Sequence, residues 1–171
     1  MKSAIQPYPD YYSRYIDLVN DEPLMAAFEN SVKQLATLDT AVLHAIGNKT
    51  YEQGKWTVNQ ILQHVTDWER ILGYRTLLIA RKDTTAPAGH DQDLLAANST
   101  VASRNVESIL NELKATRFST IQMFKGFDDE SLLSRGICWQ YEVSVVAMGF
   151  MIIGHQIHHL KMMEEKYFPL L

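Results

Sequence analysis

The chain has almost no cysteine, no long apolar run and no excess of basic residues, and each shortage narrows what it can be. A single cysteine, Cys138, excludes an intrachain disulfide and suits a reducing compartment. No stretch approaches the ~18 uninterrupted apolar residues of a membrane span, and residues 1–9 carry no apolar signal-peptide core. A cytoplasmic protein with no membrane partner is therefore expected. Lysine and arginine number 16 against 20 aspartates and glutamates, for a net charge of −4, so there is no broad basic footprint for nucleic-acid phosphates. Internal repeats and low-complexity tracts are absent as well.

What is present is a core. Of 171 residues, 46% are hydrophobic, enough for one domain spanning 1–171. The apolar positions recur at helical spacing, which predicts an all-α four-helix bundle. Residues 8–19, rich in tyrosine, read as a short helical arm packed on that bundle. A first long helix is expected from Pro23 to Ile46, closed by Gly47, with Leu24, Phe28, Leu35, Leu38 and Val42 near one face. The second starts more sharply. Thr57 is a natural N-cap, Gln60 holds the capping-box position, and Trp56 precedes the cap as a hydrophobic staple would; the helix continues to about Arg81. After Pro87-Ala88-Gly89, a third helix is expected from about Ser99 to Phe124, with Val101, Ile109, Leu113, Ile121 and Phe124 as core positions. A short helix at Asp129–Leu133 and a loop carrying Gly136, Cys138 and Trp139 lead to the last helix, from near Ser144 to before Pro169.

Histidines sit on two of these seams. Met148, Ile152, His155, His159 and Met162 succeed one another at steps of four, three, four and three, which turns both imidazoles into the bundle. Ile61, His64, Trp68 and Ile71 form a similar seam on the second helix. With a rise of ~1.5 Å per residue and an antiparallel pairing of these helices, His64 lies ~10 Å from its helix start and His159 and His155 lie ~10 and ~16 Å from the opposing end. Three inward histidines then share one level. His158 lies ~80° off the seam at ~100° per residue and reads as a neighbour or surface residue.

The segments 55-KWTVNQILQH-64 and 154-GHQIHHL-160 resemble the motifs of the DinB-like superfamily, bacterial four-helix-bundle metalloproteins that include bacillithiol-transferase and maleylpyruvate-isomerase-type enzymes. Residues 141–145 and 11–16 also resemble its entry to the last helix and its N-terminal arm, so the likeness covers almost the whole chain. The resemblance implies an up-down-down-up bundle, metal ligands matching His64, His155 and His159, nickel or zinc as the ion, and a homodimer. Gln60 departs from the glutamate many relatives carry, yet either residue serves the capping box.

Three neutral imidazoles bind a divalent ion and leave a coordination position open, the arrangement of a reactive rather than a structural site. Hydrolysis or thiol transfer, with a small-molecule substrate or a low-molecular-weight thiol, is the chemistry such a site offers. A non-catalytic stress-response or metal-sensing module, or a structural dimer whose histidines merely fill the core, are the alternatives. Other residues have plainer readings: Asp67 as an exposed helix carboxylate, His44 and His90 as structural or exposed, the methionines of the last helix as core filler, and the tyrosines as packing for the arm. Cys138 would be nucleophilic only where its surroundings lower its pKa.

Overall fold

The computed structural model describes residues 1–171. A short arm helix, α1 (Asp10–Ile16), precedes the bundle, whose four columns are α2 (Leu24–Ala36) extended by α3 (Thr40–Ile46), then α4 (Val58–Ala80), α6 (Val106–Lys125) and α8 (Val145–Lys166). Between them lie α5 (Gln92–Ala97), α7 (Asp129–Leu133) and a hairpin of β1 (Arg135–Cys138) and β2 (Tyr141–Ser144). No helix is long and apolar enough to cross a membrane.

Cross-helix pairs give the directions. Ser31 meets Gln156, and Leu24 packs where Gly149 leaves room, so α2 and α8 run parallel. Trp56 meets Tyr167 and His64 meets His155, so α4 and α8 run antiparallel. Gln63 meets Glu112 and Glu69 meets Arg117, so α4 and α6 run parallel. The topology is up-down-down-up. Parallel neighbours cannot be joined by a tight turn, and residues 81–105, with α5 inside them, carry the chain back along the bundle.

Local chemistry sets the boundaries. At α4 the capping box forms as expected, Thr57 Oγ1 accepting from the Gln60 amide at 3.3 Å and the Thr57 amide donating to Gln60 Oε1 at 2.8 Å. The first column, expected to be continuous from Pro23 to Ile46, is broken: Thr37 closes α2, and Asp39 caps α3 by accepting from the amides of Ala41 and Val42. Its apolar seam persists across the break, which hides the break from periodicity. The third column begins at Val106 rather than near Ser99, because the Asn105 side chain caps the Ser108 amide. The loop expected before the last helix is the β1–β2 hairpin, too short for a strand period to register. Ser144 then caps α8.

The core is in two parts. One apolar cluster gathers α1, the hairpin and the first half of α8; the other gathers α3 and the N-terminal halves of α4 and α6 with the last turns of α8. Between them lies a buried polar network with one residue from each column: Ser31, Glu69, Arg117 and Gln156. Arg117 donates to both Glu69 oxygens at 2.8 and 2.9 Å and to the Ser31 hydroxyl, while Gln156 donates to the Ser31 carbonyl at 3.1 Å. A fully buried ion pair is tolerated only when hydrogen bonds complete it, as they do here.

Candidate metal centre

His64 comes from the second turn of α4, and His155 and His159 from successive turns of α8, where the i, i+4 step stacks them on one face. All three are buried, and the nitrogens that could serve as ligands lie within 4.8 Å of one another. His155 Nε2 stands 3.2 Å from His64 Nε2 and 3.1 Å from His159 Nε2. A neutral imidazole nitrogen has either one proton or one in-plane lone pair, so Nε2 of His155 cannot hydrogen-bond both neighbours well. Nitrogens bound at about 2.0–2.1 Å to one ion are separated by about this much. The donor set thus fits a divalent cation better than it satisfies itself.

Burial keeps the cluster neutral, and neutral imidazole is the form that ligates. Burial first, and then the charge of His158, lowers the pKa of His64 to about 4. Burial and then His64 lower that of His159 to about 3, and His155, buried and facing His159 and His64, is held well below the ordinary value. Aromatic rings fix the imidazoles: Trp56 lies 4.7 Å and Trp68 5.5 Å from the His64 ring, and Tyr15 meets His155 edge-on at 5.3 Å. Tyr15 arrives because α1 crosses α8 at Gly154, where a Cβ would stand 1.9 Å from the Tyr15 carbonyl oxygen.

Two cavities open onto the cluster. His155 lines one of about 430 Å³, walled by tyrosines of α1 together with Trp68, Arg75 and Trp139. His159 lines another of about 340 Å³, with Trp56, Lys55 and Tyr167.

The remaining candidates fall elsewhere. His158 is exposed, its ring 5.5 Å from Tyr15. Asp67 accepts from Gln63 at 2.9 Å and Arg70 at 3.3 Å, in the ion-pair cluster between α4 and α6, and lines neither cavity. His44 is on the surface, paired with Glu107 at 2.8 Å, and His90 lies at the rim of the first cavity, 6.5 Å from Trp68. Cys138 is fully buried in β1 and receives the Tyr12 hydroxyl at 3.6 Å. Arg75 and Trp139 form cavity walls without standing out as site residues in the sequence. Arg75 left a signal nonetheless: it continues the His64, Trp68, Leu72 seam as a charged residue among apolar ones.

The model of the DinB superfamily matches residues 24–163. Among solved structures, YfiT from Bacillus subtilis, described as a probable metal-dependent hydrolase with an unusual four-helix bundle topology, aligns over 94% of this chain and 88% of its own, with a TM-score of 0.69 at 15% identity. That likeness shows a shared fold. Comparison with curated proteins finds no significant relative. With the family model spanning most of the chain and the bundle architecture in place, the protein belongs to the DinB superfamily.

Proposed function

We propose that the protein is a metal-dependent enzyme acting on a small molecule, with His64, His155 and His159 as the ligands of one divalent ion, zinc or nickel. The observation that carries this reading is the convergence of three Nε2 atoms from two helices, 3.1 and 3.2 Å apart, beside a cavity of about 430 Å³. No cysteine or carboxylate joins the three histidines, so the protein leaves at least one position of such an ion to water or substrate. A divalent ion held by neutral ligands would supply Lewis acidity, bringing the pKa of water or a thiol toward neutrality.

The chain's own groups do the rest. Burial holds the imidazoles in the ligating form, Trp56, Trp68 and Tyr15 restrict their rotation and exclude bulk water, and the cavity orients the substrate against His155. Hydrolysis is the leading reaction, in keeping with the description of the similarly folded YfiT. Thiol transfer is the second reading, favoured by the separate cavities at His155 and His159, which suit two reactants. The family resemblance further supports a homodimer, and the single cysteine a cytoplasmic location. Screening the zinc- and nickel-loaded protein against esters, amides and lactones, and then against electrophiles with low-molecular-weight thiols, separates the reactions. Turnover abolished by His159→Ala supports the enzyme reading, and metal uptake with no turnover in either screen supports a sensing module instead.

A further inference from the structure

Two arginines are buried in this fold, and only one has a counter-ion. Arg117 is matched by Glu69, whereas Arg75, 3% exposed, has no carboxylate partner. Its Nη2 donates to the Ala88 carbonyl at 2.8 Å, its Nη1 reaches the Cys138 sulfur at 3.8 Å, and its Nε is buried with no partner. An uncompensated buried charge is costly, and guanidinium cannot shed its proton to escape that cost.

The surroundings say what is missing. Arg75 lines the cavity that His155 also lines, and that cavity contains no aspartate or glutamate. Arg14 adds a second cation at its rim, its guanidinium carbon 4.7 and 4.8 Å from the Tyr11 and Tyr15 ring centres. The walls are flat and aromatic. Trp139 is held at φ +61, an uncommon backbone conformation for a bulky residue, with its ring so close over Gly89 that a Cβ there would stand 2.9 Å from the indole nitrogen.

We infer that the cavity binds a small organic carboxylate, its carboxylate paired with Arg75 and its flat apolar body held between Trp68 and Trp139 and directed toward His155. The fork-shaped guanidinium of Arg75 matches a carboxylate's charge and planar geometry, and a volume of about 430 Å³ suits a ligand of this size. The inference deepens the functional reading above, resting on it for the placement of substrate beside His155, while the anion site itself requires no metal.

Tryptophan fluorescence provides the test, because Trp68 and Trp139 line the cavity. Chelator-treated protein is titrated with phenylacetate, phenylacetamide and phenyl phosphate, and the series is repeated after zinc loading. Phenylacetate is expected to bind the metal-free protein about tenfold or more tighter than either analogue, and Arg75→Gln to abolish that preference. A shift of the Arg75 Nε–H resonance on adding phenylacetate to the wild type gives the same answer without a variant. Equal affinity for acid and amide, a preference retained in Arg75→Gln, tighter binding of phenyl phosphate, or a preference appearing only with zinc would each overturn the assignment. A protein that takes up no metal yet prefers phenylacetate through Arg75 would sink the metal reading and leave the carboxylate site standing.

Discussion

His159 shows how much one side chain carries. Its Nε2 faces His155, its Nδ1 is buried without a partner, and its environment disfavours the charged form. His64 shares that environment, and the two together set a pH dependence. An unfolded histidine titrates near 6.5, whereas burial lowers the folded values to about 4 for His64 and about 3 for His159. Below 6.5 the unfolded chain takes up protons that the folded one refuses, so their contribution is intact above 6.5 and is lost as pH falls through that window. Thermal melts of chelator-treated wild type should be level above pH 6.5 and drop steadily toward pH 4. His64→Gln should flatten the drop.

The Glu69–Arg117 pair makes the opposite case of burial with compensation. Arg117→Met leaves the Glu69 carboxylate buried and alone and should cost about 3–5 kcal/mol in urea unfolding, while the double change Glu69→Leu with Arg117→Met should recover much of the loss. The histidine seams were legible because a polar residue at i, i+4 on an apolar face is conspicuous. Arg117 lies on an equally apolar seam between Leu113 and Ile121, but its buried partner is 48 residues away in the chain and leaves no local trace.

Among the elements, α1 and the hairpin matter most to the site, and they are unequally legible in the sequence. The arm was visible as a tyrosine-rich helical segment, but not its crossing of α8 at Gly154. Adding one methyl there forces Tyr15 away, so Gly154→Ala should cost about 1–3 kcal/mol and expose residues 10–20 to limited proteolysis. The hairpin looks like a loop in sequence because four-residue strands with two buried positions in one and one in the other carry no usable period. The break between α2 and α3 escaped for a different reason. Leu38 and Val42 stay partly buried on either side of Asp39, and the seam runs on although the backbone hydrogen bonds do not. Strong caps, by contrast, were readable: Thr57 with Gln60 placed α4, and with it His64, to within a residue.

At the scale of the molecule, the up-down-down-up order is what assembles the centre. It sets α4 antiparallel to α8, so the second turn of one meets the later turns of the other, and the buried polar network from all four columns anchors that level between two apolar clusters. The antiparallel match of histidine levels follows from helix rise alone; the order of the four columns came only with the family resemblance, since periodicity contains no information on which columns are neighbours. The proposed homodimer predicts a sedimenting mass twice the chain's 19.6 kDa, and a single-chain mass at micromolar concentration would refute it.

The proposal that His64, His155 and His159 hold an ion is open to measurement. Elemental analysis of protein purified without an affinity tag, run beside His159→Ala, tests it directly. About one zinc or nickel per wild-type chain, falling at least tenfold in the folded variant, is expected. A wild-type protein that neither contains nor takes up a divalent metal would contradict it.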